Sequence, residues 1–155
     1  MLFRSVREAR QYDERDDLAP RLNAKMTDMQ AALGRGQLAR LDHFIARRRA
    51  IADRYRERLH GLPCRTPPPA GERHVYHRFV ITVDGSVDAL QAALAERGVT
   101  ARRPVFRPAH RALGQTGFPE ADRLWSQSLS IPCYPALADD EVDTVAAALG
   151  RALGK

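Results

Sequence analysis

The chain has 155 residues, 44% hydrophobic and 28% charged, a composition typical of one globular domain rather than a disordered chain. No apolar run approaches the roughly 20 residues that a transmembrane helix needs, and residues 1–20 lack the apolar core of a secretory signal, so we expect a cytoplasmic protein. The net charge of +6 leaves two kinds of anionic partner open, a nucleic acid or a phosphate-bearing small molecule.

The first strong pattern in the chain is a long amphipathic helix. Apolar residues recur at three- and four-residue steps from Thr27 to Leu59, with arginines and acids between them. Thr27 and Gln30 have the spacing of a capping box, which predicts the start of the helix, and Gly61 predicts its end near residue 60. Residues 1–20 are polar and differ from the rest, so they would pack poorly as an independent element.

The remainder alternates between strand and helix patterns, which predicts a mixed α+β fold within the α/β class. We expect a small three-stranded mixed sheet packed with helices. The predicted elements are a strand over 75–83, a helix capped by Ser86 and running to about Arg97, a strand over Val99–Phe106, a helix over Glu120–Gln127, a strand over Leu129–Ile131 and a last helix capped by Asp139.

The arginine-rich face of the long helix allows two interpretations. Arg47, Arg48 and Arg49 are consecutive, and further arginines follow, which is the best argument in this sequence for nucleic-acid binding. Asp42 and Asp53 interrupt the run, and aromatic residues for base stacking are scarce. We therefore favour a solvated helix face with ion pairs, and we expect no nucleic-acid and no membrane partner.

The segment from Leu22 to Leu59 resembles the C-terminal block of the DegT/DnrJ/StrS family of sugar aminotransferases. That family has an Asn and a Met before a Ser/Thr-Asp pair, then Gln-Ala-Ala, a Gln-Leu pair and an Arg-rich helix. The matching residues here are Asn23, Met26, Thr27, Asp28, Gln30, Ala31, Ala32, Gln37, Leu38, Leu41, Arg47, Arg48 and Tyr55. The resemblance continues through residues 76–83, 103–110 and 129–135, and so covers nearly the whole chain.

The resemblance implies the C-terminal small domain of a fold type I transferase that depends on pyridoxal 5'-phosphate. Residues 21–155 would form this domain, including the connecting helix over about 27–60, and residues 1–20 would be a remnant of the preceding large domain or a tail. Transamination needs a lysine amine that holds the pyridoxal aldehyde as an imine. Neither lysine of this chain suits that task, because Lys25 falls where the family usually has Arg and Lys155 is the last residue. We therefore expect the isolated chain to be an inactive fragment whose artificial start lies before about Val6.

Three residues are candidates for binding sites through the resemblance. The family residue that matches Asn23 reaches across the dimer to the cofactor phosphate, and Lys25 could contact the same phosphate or the diphosphate of the substrate. His110 matches a position near the sugar substrate. Ala24 and Leu22 stand where the family has aromatic residues, which changes the lining of the pocket. We expect no catalytic residue and no metal site in this chain.

The function implied is amino transfer from an amino acid, commonly glutamate, to a keto-sugar nucleotide. The whole enzyme would be a cytoplasmic homodimer in amino-sugar or cell-surface polysaccharide biosynthesis. Two alternatives stay open: a free-standing dimerisation or regulatory module without catalysis, and a basic nucleic-acid-binding domain.

Overall fold

The computed structural model describes residues 25–69, 71 and 74–154. The chain divides into two compact units, residues 1–41 and 42–155, which are described separately. The helices are α1 (Asp28–Leu38), α2 (Leu41–Arg58), α3 (Asp88–Ala95), α4 (Ala109–Ala112), α5 (Pro119–Gln127) and α6 (Asp139–Ala152), and the strands are β1 (Cys64–Arg65), β2 (Phe79–Val83) and β3 (Ser128–Ile131). None of the described helices is long and apolar enough to cross a membrane.

The helix predicted over 27–60 is two helices, so its expected continuity was wrong. Its start is confirmed: the Gln30 N–H donates to Thr27 Oγ1 at 3.3 Å, and the Thr27 N–H donates to Gln30 Oε1 at 3.0 Å. The chain turns at Ala39 and Arg40 before α2 begins. The two glycines of α1 lower its helix propensity, and α1 has no buried residue whose packing would offset them.

The three strands form one antiparallel sheet in the order β1-β2-β3, so the expected mixed sheet was wrong. The strand predicted over Val99–Phe106 is reduced to a single bridge between Arg102 and Ser130. Pro104 has no N–H to donate to a neighbouring strand. The Val105 carbonyl accepts a hydrogen bond from the Trp125 indole N–H at 3.0 Å, and the bridge does not continue into a ladder. The third strand is β1, which follows α2 and pairs with the far end of β2.

The core lies on one face of this sheet, beneath the helices of residues 42–155. Phe79, Ile81 and Val83 of β2 are buried, whereas the residues between them are half-buried, as the two-residue period of a strand requires. The Tyr55 ring of α2 lies 5.1 Å from the Phe79 ring, and α3 packs against α6. Other buried core residues are Ile51, Leu59, Leu90, Leu94, Leu129, Ile131, Val142, Val145 and Leu149.

Two predicted helix caps lie close to, but not at, the cap positions. Ser86 Oγ accepts the Asp88 N–H at 3.3 Å, but the capping residue of α3 is Val87. Asp139 is the first residue of α6 rather than its cap, because Ala138 holds the cap position. The helix predicted over Glu120–Gln127 is confirmed as α5, which brings its residues against β2.

Candidate functional site

His110 is the predicted site residue that the structure places in a defined environment. It lies in the short helix α4, is 8% exposed, and its Nε2 is 3.0 Å from Oδ1 of Asp122 in α5. The His110 carbonyl accepts the Gln115 N–H at 2.8 Å, which closes the turn after α4. His110 is therefore held in place through both its backbone carbonyl and its imidazole ring.

Asp122 accepts hydrogen bonds from two side chains of α4. Besides His110, Arg111 donates its Nε–H to the same carboxylate oxygen at 2.6 Å. The hydrogen bond from His110 lowers the pKa of Asp122 below its usual value and the Arg111 guanidinium lowers it further, whereas desolvation opposes both. The carboxylate is thus ionised at neutral pH and can only accept.

This pairing fixes the tautomer of His110. An ionised carboxylate at Nε2 requires a proton on Nε2, so Nδ1 of the neutral ring carries the free lone pair. A histidine with one nitrogen bound to a carboxylate is oriented for hydrogen bonding or proton transfer at the other nitrogen. Asp122 is therefore a positioning residue for His110.

His110 lines a largely apolar cleft of about 580 Å³, which we call the histidine cleft. The Phe118 ring lies 5.0 Å from the His110 ring at 30°. The residues that line the cleft are Pro104, Val105, Pro108, Ala109, His110, Leu113, Gln115, Phe118, Ala121, Leu124, Trp125 and Ser128. Such a cleft suits the ring of a small organic molecule, with few polar groups to fix its orientation.

Trp125 is held between two arginines at this cleft. The guanidinium carbons of Arg103 and Arg111 lie 4.1 and 4.5 Å from the centre of its ring. Arg103 also pairs with Asp88 at 2.8 Å, and the Trp125 Nε1–H donates to the Val105 carbonyl at 3.0 Å. These contacts fix the indole and place positive charge beside the cleft.

The other two predicted site residues lie elsewhere in the chain. Asn23 is outside the described residues. Lys25 is described, is exposed and belongs to the unit that ends at Leu41, whereas His110 belongs to the second unit.

Sequence reasoning missed Asp122, Arg111 and Trp125. Each acts through partners up to 22 residues away along the chain, and no short motif signals such a contact. An acid on a predicted helix shortly after the candidate histidine was the available signal for Asp122.

The described residues fit only part of what a pyridoxal phosphate site needs. Lys25 is the one lysine among residues 25–69, 71 and 74–154, and it is exposed. A lysine that forms an imine is normally desolvated or placed beside other cations, which lowers its pKa. The donors of these residues suit a contact to an anionic group but not the imine-forming position.

Comparisons with known proteins identify the family of this chain. The model of the DegT/DnrJ/EryC1/StrS aminotransferase family matches residues 3–150. A UDP-N-acetyl-3-dehydro-alpha-D-glucosamine 3-aminotransferase of Acidithiobacillus ferrooxidans is 31% identical over 137 residues, which are 84% of this chain and 37% of the relative.

Two solved structures share the fold. DesV of S. venezuelae, solved in complex with a ketimine intermediate, superposes with a TM-score of 0.86 at 28% identity, over 99% of this chain and 44% of DesV. The PLP form of the putative sugar aminotransferase Spr1654 of Streptococcus pneumoniae superposes with a TM-score of 0.79 at 25% identity, over 88% of this chain and 38% of that one. The chain thus spans less than half the length of these relatives. Since the family model covers nearly all of it, the chain belongs to the DegT/DnrJ/EryC1/StrS aminotransferase family.

Proposed function

We propose that this chain forms the small-domain part of a pyridoxal-phosphate-dependent sugar aminotransferase. The reaction moves an amino group from an amino acid, glutamate, to a keto-sugar nucleotide in amino-sugar or cell-surface polysaccharide biosynthesis. The family match and the named activity of the A. ferrooxidans relative support this assignment. Residues 21–155 constitute the domain, residues 1–20 are a tail or a remnant of the large domain, and the enzyme is a cytoplasmic homodimer.

The observation that carries the proposal is the pairing of His110 with Asp122 at the wall of an apolar cleft. The apolar wall takes a ring of the nucleotide sugar, and Nδ1 of His110 accepts a hydrogen bond from a hydroxyl group. Arg103 and Arg111, which are paired with Asp88 and Asp122, hold the Trp125 indole in place as part of the wall of this cleft. His110 in this role binds and orients the substrate, and Asp122 acts through His110.

The cofactor is held mainly by the large domain of the enzyme. When bound, pyridoxal phosphate supplies the electron sink for amino transfer. In this proposal Asn23 and Lys25 contact its phosphate across the subunit boundary, as a neutral donor and a point charge. The isolated chain is inactive because it contributes no imine-forming lysine.

A chimera tests this function. Residues 21–155 replace the matching C-terminal segment of the A. ferrooxidans relative, and the product is assayed with glutamate and the keto-sugar nucleotide of that relative. We expect a chimera that binds pyridoxal phosphate and transfers the amino group, with no transfer by the 155-residue chain alone.

The variants H110A and H60A refine the test. His60 is an exposed histidine at the end of α2, so its loss should leave activity unchanged, whereas H110A should lower kcat/KM by about tenfold or more because the hydrogen bond to the substrate is lost. A chimera that is folded and carries the cofactor but transfers nothing would contradict the proposed function.

A further inference from the structure

A second cleft, of about 550 Å³, is lined by residues beside β3 and by residues of α6. Three arginines line it: Arg78, Arg97 and Arg102. We call it the arginine cleft. It shares no lining residue with the histidine cleft.

The register of the sheet explains why two of these arginines come together. Val80 pairs with Ser130, and Ser130 exchanges backbone hydrogen bonds with Arg102 at 3.0 and 2.7 Å. Residues directly opposite each other in antiparallel strands share a face, and so do residues two apart along a strand. Arg102 therefore shares a face with Val80, and Arg78, two residues before Val80 and just outside β2, lines the same cleft.

The charges of this cleft are not neutralised by neighbouring acids. Arg103 and Arg65 nearby pair with Asp88 and Asp84, but within the described part of the chain neither Arg78 nor Arg102 has a carboxylate within ion-pair distance. Arg97 donates one Nη1–H to the Ala93 carbonyl at 2.6 Å and keeps its other donors.

One carboxylate lines the described wall of the arginine cleft, and it is already engaged. Oε2 of Glu141 accepts the Ala138 N–H at the start of α6, at 2.8 Å. The arginines therefore outnumber the acid within one concave surface, where charge of one sign is focused.

The remaining lining suits an organic anion. The hydroxyl groups of Thr100 and Tyr134 can donate, and the side chains of Ile131, Leu137 and Val145 form an apolar wall. Guanidinium groups bind phosphate oxygens in a two-pronged geometry that matches the planar arrangement of their N–H groups. Bringing several guanidinium groups to one cleft costs repulsion, which a polyvalent anion relieves.

We propose that the arginine cleft binds a phosphate-bearing small metabolite, and that a diphosphate binds more tightly than a monophosphate because it engages more than one arginine. This binding goes beyond the proposed transamination and does not rest on it.

Nuclear magnetic resonance of the ¹⁵N-labelled 155-residue chain tests the site, with sodium pyrophosphate, sodium phosphate and sodium chloride added at equal ionic strength. We expect pyrophosphate to shift the amide signals of Gly98, Thr100 and Ser130 in a saturable way, with a Kd below about 1 mM. Phosphate should bind more weakly, and chloride should produce no saturable shift.

Matched variants separate the site from general charge attraction. R78Q/R102Q should weaken pyrophosphate binding by about tenfold or more, because it removes two charge-assisted donors. R65Q/R151Q removes the same formal charge from exposed positions outside the arginine cleft and should leave the affinity within about twofold.

If R78Q/R102Q loses the dispersed spectrum of a folded protein, R78K/R102K is used in its place. Lysine keeps the positive charge but lacks the paired N–H donors of a guanidinium group. Its affinity for pyrophosphate should therefore fall below that of the unmodified chain. The proposal is overturned if pyrophosphate shifts no cleft amide, if chloride gives the same saturable shifts, if both glutamine pairs weaken binding equally, or if the lysine pair binds as tightly as the unmodified chain.

Discussion

Tyr55 illustrates how a single buried hydroxyl is accommodated in this core. Its side chain is fully buried against Phe79, and its Oη donates to the Pro132 carbonyl at 2.9 Å. Burial raises the pKa of Tyr55, so the phenol stays protonated and remains a donor across the ordinary pH range. The bond ties α2 to the segment after β3.

Replacing Tyr55 with Phe should lower the free energy of unfolding by about 1 to 2 kcal/mol, because the Pro132 carbonyl loses its partner in a dry environment. Urea denaturation followed by circular dichroism measures it. Tyr134, 45% exposed, provides the matched control, and Y134F should leave the stability nearly unchanged. Equal effects of the two variants would contradict the importance of this bond.

The pairing of His110 with Asp122 predicts which ring nitrogen of His110 carries the proton. The ionised carboxylate holds a proton on Nε2 of His110, so ¹⁵N spectra of the neutral form of the imidazole should show the Nε2–H tautomer. In D122A the tautomer bias should disappear. His60 is exposed and should give the same averaged signals in both proteins; an unchanged His110 spectrum in D122A would contradict the pairing.

At the scale of elements, ion pairs join α2 to α6. Arg54 and Arg58 both donate to Asp143, and Arg47 pairs with Asp139 at 2.7 Å. Arg47, Arg54 and Arg58 of α2 are therefore ion-paired, but their partners are acids of α6 rather than the acids that interrupt the arginine run. Arg48 and Arg49, the other two arginines of the consecutive run, donate to the backbone carbonyls of His77 and His74.

Asp143 makes the stability contributed by these ion pairs depend on pH. The hydrogen bonds from Arg54 and then Arg58 lower the pKa of Asp143 from 3.8 to about 2. Because the folded-state pKa is depressed, its contribution to stability is present above about pH 4 and is lost as the pH falls toward 2.

D143N should therefore flatten the dependence of the unfolding free energy on pH between about 4 and 2, relative to the unmodified protein. Urea titrations at several pH values measure this slope. Asp140 lies on the same helix, and its side chain accepts only the Glu141 N–H, so D140N should keep the slope. A D143N slope equal to that of the unmodified protein would contradict the role of the network.

The elements show how far the sequence predicts this fold. Thr27 and Gln30 predicted the start of α1 because a capping box is local, and the helix predicted over residues 120–127 is present as α5. The break at Ala39 and the two-residue strand β1 leave no periodic signal in the sequence, because each is too short to show a repeating pattern of apolar residues. The sequence also did not predict that the strands are antiparallel, because the pairing of strands that are distant along the chain depends on the whole topology.

The histidine cleft was also predicted only in part from the sequence. The family resemblance suggested His110 as a candidate, whereas Asp122 and Trp125 join the same cleft through contacts that only the folded chain brings together. The arginine cleft likewise depends on contacts distant along the chain, because the bridge between Arg102 and Ser130 brings Arg102 beside β2, where Arg78 lines the same cleft.

At the scale of the whole molecule, α1 presents a row of exposed apolar side chains. Met29 is 77% exposed and Leu33 is 66% exposed, and the two are four residues apart on one helix face. Exposed apolar rows of this kind favour association.

M29E/L33K should therefore reduce self-association of the 155-residue chain, as measured by sedimentation velocity over a range of concentrations. The pair keeps the net charge and places Glu and Lys in the favourable i, i+4 order. A32E/G36K introduces the same charges at the same spacing without removing a large apolar side chain and should leave association unchanged. Association that is equal in both variants would contradict a role for this row.

The central claim is that the histidine cleft receives the nucleotide sugar. Trp125 is the one tryptophan of the sequence and lines this cleft, so its fluorescence reports binding there without a label. Titration of the 155-residue chain with UDP-N-acetylglucosamine should change the emission of Trp125 in a saturable way, and H110A should weaken that response about tenfold while its circular dichroism stays the same. No saturable change in the unmodified chain, or an identical response in H110A, would contradict the claim.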